Sequence, residues 1–285
     1  MNLPNVLTYI TWDINPDIFT IPFLNHPVRW YGLLFAMAFL ISQQIMYFIY
    51  KKEGRPIKEI DTLTIYMVVA TIVGARLGHV LFYDPIHYFQ NPHKIFMVWE
   101  GGLASHGGII GILIALYLFT RKTGVNYLWI LDRLAVVIAL TCCMIRLGNL
   151  MNSEMIGIPT SLPWGFIFIS KDNIPRHPAQ LYEAIHYFIS FVILFWIWNR
   201  QRDKMKNGFL TGWGLIIMFS FRFVDEFFKL DQVQFEEGMI LNMGQLLSVP
   251  FILTGILLLI FKVYRKQERF TTDKVVVDGE QIKTE

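Results

Sequence analysis

Seven long stretches of apolar residues alternate with short polar segments along most of the chain. A hydrocarbon core about 30 Å thick needs about 20 apolar residues in a helix, and each stretch approaches that length. The first and last stretches contain no charged residue, whereas most of the others carry one or two ionisable groups. The pattern predicts an all-α, polytopic membrane helical bundle with seven transmembrane helices. The predicted spans lie near residues 30–50, 60–82, 96–120, 126–147, 180–199, 208–228 and 238–261.

Basic residues are concentrated in alternate connections between these spans. Lys and Arg are numerous after the first, third, fifth and seventh spans and sparse elsewhere. Because basic loops stay on the cytoplasmic side, we expect the N-terminus outside and the C-terminus in the cytoplasm. The first 29 residues lack the pattern of a cleavable signal peptide, so the first span is expected to serve as the targeting signal. Residues 1–270 are predicted to form one integral-membrane domain, and the polar residues 271–285 a flexible cytoplasmic tail.

The composition disfavours a soluble protein. Charged residues make up 16% of the chain, whereas about 25% is usual in soluble domains, and the net charge is only +3. These values fit poorly with a nucleic-acid-binding protein or a disordered chain. The two cysteines, Cys142 and Cys143, are adjacent and cannot form a disulfide framework, so we interpret them as small core residues.

A histidine lies among four glycines in residues 101–108, which read GGLASHGG. An ionisable side chain at membrane depth costs several kcal/mol unless it is paired or faces water, so His106 is a functional candidate. The glycines allow a backbone or a ligand to approach closely, and they weaken the helix. The alternative is that His106 bonds a neighbouring helix and the glycines only ease packing. The motif alone leaves both interpretations open.

A dense polar cluster begins where the fourth predicted span ends. Residues 146–157, RLGNLMNSEMIG, include Arg146, Asn149, Asn152 and Glu154. A solvated helix end, with the arginine reaching the headgroups, is a common arrangement for one arginine. That interpretation explains the asparagines and glycines less well, which favours a functional site here.

Two further arginines fall on the same predicted side of the bundle. Arg222 and Glu226 are four residues apart, so they share a helix face and can pair, although such a pair can be purely structural. Arg76 lies near the outer end of the second span. With Arg146 and the histidine they would form an external anion-binding pocket. Guanidinium groups suit phosphate oxygens, and lipid headgroups are the nearest phosphates to a membrane enzyme.

Other catalytic constellations are weaker. His177, Glu183 and His186 lack the spacing of a zinc site such as HExxH, and the chain contains no GxSxG motif. We therefore do not expect a metal site.

In these motifs the chain resembles the prolipoprotein diacylglyceryl transferase family of bacterial membrane enzymes. The resemblance covers nearly the whole chain, from residues 29–33 (RWYGL) to residues 222–228 (RFVDEFF), with further blocks at 74–78 (GARLG), 106–108 (HGG) and 177–183 (HPAQLYE). The family signature, roughly G-R-x-G-N-F-x-N-x-E-x-x-G, is matched at Arg146, Gly148, Asn149, Asn152, Glu154 and Gly157.

The chain departs from the family pattern at several apolar or small positions. Ile145 replaces the first glycine of the signature, and Leu150 replaces its phenylalanine. Ala179 replaces a serine or threonine, and Met218 stands where some relatives carry a tyrosine, so no tyrosine role is assigned there. None of these departures changes the arginines or the histidine.

The resemblance implies a transferase that moves the diacylglyceryl group from phosphatidylglycerol to the lipobox cysteine of bacterial prolipoproteins. A thioether forms and glycerol phosphate is released, which is the first step of lipoprotein maturation. The implied location is the bacterial cytoplasmic (inner) membrane. The implied partners are phosphatidylglycerol, prolipoprotein signal peptides and membrane lipids, without nucleic acid and without a cofactor.

Roles for individual residues follow from the demands of this reaction. His106 is the side chain best suited to accept the thiol proton. Arg222 and Arg146 are candidates to stabilise the departing phosphate, and Glu226 to orient Arg222. Glu154 is expected either to fix Arg146 or to line the peptide entrance. The expected substrate-binding residues are Tyr31, Arg76, Asn149, Asn152, Glu154 and Gly157.

A transporter or flippase for an anionic lipid or a small anion is the main alternative, because the same arginines would bind the anion without chemistry. Both substrates of the transferase lie in or at the bilayer, so lateral gaps between helices are expected. The cationic pocket also predicts a preference for anionic over zwitterionic lipid.

Overall fold

The computed structural model describes residues 9–22, 26–230 and 239–264, and this part of the chain is mostly helical. Short 3-10 helices at Pro92–Phe96, Val98–Glu100 and Glu226–Phe228 supplement the α-helices. The predicted tail, residues 271–285, lies outside the described residues. The α-helices are α1 Trp30–Lys52, α2 Lys58–Phe82, α3 Pro85–Gln90, α4 Ser105–Thr123, α5 Tyr127–Met151, α6 Ala179–Gln201, α7 Phe209–Asp225 and α8 Met243–Tyr264.

Five helices in the described part of the chain are long and apolar enough to cross a membrane, namely α1, α2, α5, α6 and α8. The prediction of a helical membrane protein is thereby confirmed. The third and sixth predicted spans correspond to α4 and α7, which have 19 and 17 residues and are not among those five. That these two helices also cross the membrane stays a prediction.

Two predicted spans begin too early. The helix expected from residue 96 starts only at Ser105, because Gly101 and Gly102 have φ of 89° and 69°, a range that glycine adopts without strain. The helix expected from residue 238 starts at Met243. Asn242 ends the preceding turn, since its Oδ1 accepts from the Gln245 N–H at 2.9 Å while Gln245 Oε1 accepts from the Asn242 N–H at 3.1 Å. This reciprocal pair is a capping box.

Glycines let α2 and α4 pack backbone against backbone. A Cβ atom at Gly74 would lie 2.5 Å from the Gly107 carbonyl oxygen, and one at Gly107 would lie 2.7 Å from Gly78 Cα. α7 and α8 meet in the same way, since a Cβ at Gly255 would lie 2.7 Å from the Gly212 carbonyl oxygen. Small residues at helix contacts are typical of membrane bundles, where close packing replaces the hydrophobic effect as the source of stability.

A buried polar network joins the helices at the end where α1 stops. Arg133 on α5 binds the Glu53 carboxylate at 2.7 Å, and Trp198 Nε1 on α6 donates to the same carboxylate at 2.6 Å. Asp132 accepts from the backbone N–H and the hydroxyl of Thr211 at the start of α7, at 2.8 and 2.7 Å. Each carboxylate therefore has donors from a second helix, so its burial is compensated.

Short strands lie at the opposite end of the bundle, where α1 begins and α5 ends. β2 pairs with β3 antiparallel, and β3 leads directly into α1, while β4 pairs with β1 in parallel and with β5 antiparallel. The fold is therefore not purely α-helical, and hydropathy did not predict these strands. We call this end of the bundle the strand end. The strands are β1 Ile10–Trp12, β2 Asp17–Ile21, β3 His26–Arg29, β4 Phe166–Phe168 and β5 Pro175–Arg176.

Candidate active site

Five side chains of alternating charge are linked in a row at the strand end, and we call this row the charge chain. Arg146 Nε on α5 lies 3.2 Å from Glu183 Oε2 on α6, and Glu183 Oε1 lies 3.0 Å from Lys229 Nζ. Lys229 Nζ also donates to Glu226 Oε1 at 2.8 Å. Glu226 Oε1 in turn lies 3.3 Å from Arg222 Nη2 on α7. The charge chain thus connects α5, α6 and α7 across the bundle.

The interior of the charge chain is buried, and its two ends are partly open. Glu183 is 0% exposed, and Lys229 and Glu226 are also buried. The side chains of Arg146 and Arg222 retain 15% and 25% exposure. Two carboxylates face three cations, so one positive charge is uncompensated within the row. An excess cation in partly desolvated surroundings, with guanidinium groups at both ends, attracts an anion such as a phosphate.

The pairing of Arg222 with Glu226 was predicted from their spacing and is confirmed. Both residues belong to the last turns at the end of α7, where Glu226 starts a 3-10 turn. Asn242, at the start of α8, donates to Glu226 Oε2 at 3.3 Å. Glu226 therefore receives donors from three directions, which fixes its carboxylate and with it the Arg222 guanidinium.

The signature residues after Arg146 form a network of amides around Glu154. Asn149 Oδ1 accepts from Arg146 Nη1 at 3.5 Å, and Asn149 Nδ2 donates to Glu154 Oε2 at 3.1 Å. Asn152 Nδ2 donates to Glu154 Oε1 at 3.2 Å. The acidic partner of Arg146 is Glu183, and Asn149 bridges the arginine to Glu154. That Glu154 lines the peptide entrance stays a prediction.

Gly157 lets the signature loop pass between two other segments. A Cβ at this position would lie 2.6 Å from the Phe228 carbonyl oxygen and 2.7 Å from the His177 Cβ. The Gly157 N–H donates to the His177 carbonyl at 3.1 Å, and Gly157 forms a β-bridge with Lys229. Gly157 thus contributes backbone shape, and it brings the loop beside the charge chain.

Tyr31 lies in the first turn of α1 and packs on the helix that carries Arg146. A Cβ at Gly148 would lie 2.8 Å from Tyr31 Cδ2, so this glycine makes room for the phenol ring. The start of α1 is thereby held against the signature segment.

The structure does not bring Arg76 into the charge chain. Arg76 is 3% exposed, and its guanidinium stacks over the Tyr88 ring at 4.9 Å. Its nitrogen atoms donate to backbone carbonyls of the connection between α3 and α4, so the expectation of a free guanidinium for an anion is wrong. Arg76 instead fixes this connection. The accepting carbonyls are those of Lys94, Ile95, Met97, Gly101 and Gly102.

His106, the second residue of α4, is exposed and lies in an aromatic group. Its ring centroid is 5.8 Å from that of Tyr83 and 5.6 Å from that of Phe82. Tyr83 also stacks on His79, at 5.3 Å. Within the described residues His106 has no hydrogen bond or ion pair, so its ring nitrogens are available to a substrate.

Sequence reasoning missed two members of the charge chain. Glu183 ends the HPAQLYE block and Lys229 directly follows the RFVDEFF block, but neither is predicted as a site residue. The signal for Lys229 was its position three residues after Glu226, which places both on one side of a helical turn. Glu183 offered the signal of a carboxylate inside an apolar span. Across residues 9–22, 26–230 and 239–264, no group of three His, Cys, Asp or Glu side chains could hold a metal ion.

Apolar spaces occur between helices as well. A cavity of about 130 Å³ lies between α1, α2 and α5, with Phe39, Thr64 and Thr141 among its lining residues. A larger groove of about 640 Å³ runs between α2 and α4.

Comparisons with known proteins agree with these motifs. The family model described as prolipoprotein diacylglyceryl transferase matches residues 16–261. A phosphatidylglycerol–prolipoprotein diacylglyceryl transferase from Tolumonas auensis is 49% identical over 240 residues, covering 84% of this chain and 93% of the relative. Proteins with the same name from Porphyromonas gingivalis and Chloroherpeton thalassium are 48% and 44% identical, each covering 91% of this chain and 96% and 97% of the relatives. With its several apolar helices this is a multi-pass membrane protein, and it belongs to the prolipoprotein diacylglyceryl transferase family.

Proposed function

We propose that this protein transfers the diacylglyceryl group of phosphatidylglycerol to the lipobox cysteine of prolipoproteins, the first step of lipoprotein maturation. The observation that carries the proposal is the charge chain, which ends in two partly exposed guanidinium groups, one of them on the family signature. The names of its relatives support the two substrates.

The reaction makes one bond and breaks one. The cysteine sulfur attacks the glyceryl carbon that carries the phosphate, a C–S bond forms, and the C–O bond to the phosphate breaks. The thiol proton passes to a base, and glycerol phosphate leaves with the electron pair of the broken bond. A departing phosphate gains negative charge, so donors aimed at it before the reaction lower the barrier.

Arg146 and Arg222 are the proposed phosphate-binding residues. Glu183 holds Arg146 and Glu226 holds Arg222, so both groups are oriented before the substrate arrives. One such preorganised donor is worth about 10²–10³ in kcat. Asn149, Tyr31 and the other signature residues shape the headgroup site around them.

His106 is the proposed base. Its exposure and its stacking on Tyr83 support this role, because an imidazole without other partners can accept a proton from a bound thiol. The carrier alternative needs no base, so the behaviour of His106 variants separates the two functions.

The proposed topology has seven crossings, with α4 and α7 included. The strand end then faces outwards and the C-terminus lies in the cytoplasm, in the bacterial inner membrane. The bias of Lys and Arg towards the connections at the other end supports this orientation. The apolar groove of about 640 Å³ between α2 and α4 supports lateral entry of the lipid from the bilayer. Labelling of single cysteines placed at residues 164 and 203 with an impermeant reagent in spheroplasts tests the topology, and labelling only at residue 164 is expected.

Mass spectrometry of a lipobox peptide incubated with purified protein and phosphatidylglycerol tests the activity. Diacylglyceryl on the cysteine sulfur and released glycerol phosphate are expected. Arg222→Ala and Arg146→Ala are each expected to lower product formation about 10²–10³-fold, and His106→Gln is expected to abolish both products while lipid binding survives. Arg29→Ala is the control, because Arg29 is an arginine of the strand end whose pair with Asp17 is exposed. Lipid movement without covalent product would favour the carrier.

A further inference from the structure

His186 and Asp225 form a second polar contact beside the charge chain. His186 Nδ1 on α6 lies 2.8 Å from Asp225 Oδ1, the last residue of α7. His186 follows Glu183 by three residues, and Asp225 follows Arg222 by three residues. Residues three apart on a helix are neighbours on its surface, so the pair lies one turn from the residues that hold and present the two guanidiniums.

The imidazole ring is held by two contacts at once. It stacks on Phe221, with ring centroids 4.4 Å apart and planes inclined by 8°, while Nδ1 bonds the carboxylate. Phe221 and Asp225 both belong to α7, so the ring of an α6 residue is docked on one turn of α7. In the described part of the chain this is the only side-chain hydrogen bond that joins α6 to α7.

The Asp225 carboxylate depends on this contact. Asp225 is 2% exposed, and among the described residues His186 is its only hydrogen-bond partner. A buried carboxylate without a hydrogen-bond donor costs free energy. The contact with His186 therefore favours the orientation of α7 about its axis that brings Asp225 to His186. Glu183 and Lys229 are the charged groups that act on Asp225 besides the histidine.

We propose that His186 is a positioning residue that, through Asp225, sets the register of the last turn of α7 against α6. Arg146 is held from α6 by Glu183, whereas Arg222 projects from α7 itself. The register between α6 and α7 therefore determines how the two guanidiniums are spaced. Lys229 also bridges Glu183 to Glu226, but it lies beyond the end of α7, whereas Asp225 is the last residue of the helix itself. The inference rests on the proposed role of both arginines in binding the departing phosphate.

Steady-state kinetics of the purified full-length protein test the proposal, with phosphatidylglycerol vesicles and a lipobox peptide. His186→Leu is expected to lower kcat about tenfold to a hundredfold, the scale of an ångström-sized misalignment, with KM for phosphatidylglycerol changed far less. His186→Asn, whose amide can donate to Asp225, is expected to recover most of the rate. Ser190→Ala is the matched control, because this buried serine lies one turn further along α6 and, among the described residues, bonds only the His186 carbonyl.

The double variant His186→Leu/Asp225→Leu separates the loss of the contact between α6 and α7 from the burden on stability of a buried carboxylate without a hydrogen-bond donor. It removes that burden, so the protein is expected to fold, but it also removes the register contact, and kcat is expected to stay low. A kcat within about twofold of wild type in this double variant or in His186→Leu would overturn the inference, as would an equal loss in Ser190→Ala. Arg222→Ala and Arg146→Ala run in parallel identify the other failure. If these two variants retain full activity, the proposed phosphate-binding role is wrong, whatever the His186 variants do.

Discussion

Glu183 is the residue whose replacement tests the charge chain most directly. Glu183→Gln keeps the shape of the side chain and removes its charge. At 3.2 Å, with an effective dielectric constant of about 20, the attraction to Arg146 amounts to about 5 kcal/mol before desolvation is subtracted. Breaking a buried pair by removing one partner typically costs about 3–5 kcal/mol. Lys229 keeps Glu226, and Arg146 can turn towards solvent, so we expect a loss of about 3 kcal/mol of stability.

The catalytic effect of Glu183→Gln follows from the orientation of Arg146. Without the carboxylate the guanidinium is free to leave the site, so the variant is expected to lose about 10²-fold in kcat, close to the loss of a whole oxyanion donor. The assay combines the thermal unfolding midpoint in detergent with product formation per folded molecule, measured by mass spectrometry. Lowering the assay temperature keeps the variant folded while its turnover is measured.

Asp172→Asn provides the control for Glu183→Gln. Asp172 pairs with Arg176 at 2.6 Å, but its side chain is 28% exposed and lies in the connection between α5 and α6. The same change from carboxylate to amide is expected to cost at most about 1 kcal/mol there and to leave turnover unchanged. If Glu183→Gln keeps turnover within twofold of wild type when equally folded, Arg146 does not depend on Glu183 and the reasoning fails.

Three other predictions concern packing and pH. Gly157→Ala is expected to destabilise the protein by about 1–3 kcal/mol, because its Cβ would lie 2.6 Å from a backbone carbonyl oxygen. Its unfolding midpoint should fall well below that of Gly32→Ala, where the new Cβ would meet open space. Equal midpoints would contradict the close packing at Gly157. Gly107→Val is expected to separate α4 from α2 and to reduce the yield of folded protein in a size-exclusion assay, whereas a normal yield would contradict the backbone contact. Burial lowers the pKa of His177, so the unfolded chain binds a proton more readily than the folded protein, and stability is expected to fall as pH drops through about 6.5. In a pH series of unfolding midpoints, His177→Gln should weaken this dependence of stability on pH. An unchanged dependence would refute the prediction.

The sequence predicts those parts of the fold that depend on local hydropathy. α1 and α6 occupy their predicted spans to within two residues, because an apolar run of that length has few alternatives in a bilayer. The predicted start of α4 was wrong because Phe96 and Trp99 extend the apolar run in the sequence but do not belong to the helix. Their position depends on the glycine turn that follows and on the Arg76 donors, which hydropathy does not record.

The same distinction applies to the candidate site. The pair of Arg222 with Glu226 lies within one helix, so spacing alone predicted it. The contacts of Glu183 with Lys229 and of His186 with Asp225 join different segments, and spacing does not show which faces of two helices meet. Arg76 was predicted to bind an anion, but its N–H groups already donate to backbone carbonyls. The sequence does not show whether the N–H groups of an arginine are used in this way or are free.

The glycine contact between α2 and α4 has a mechanical consequence. Helices whose backbones touch cannot slide or roll past each other without losing that contact, so we expect α2 and α4 to behave as one rigid unit. His106 is the residue before Gly107, and its ring packs on the end of α2, so its position is fixed relative to this pair of helices. The charge chain is built on α5, α6 and α7, outside this pair of helices. A change in the position of the proposed base relative to the two guanidiniums therefore requires α2 and α4 to shift together.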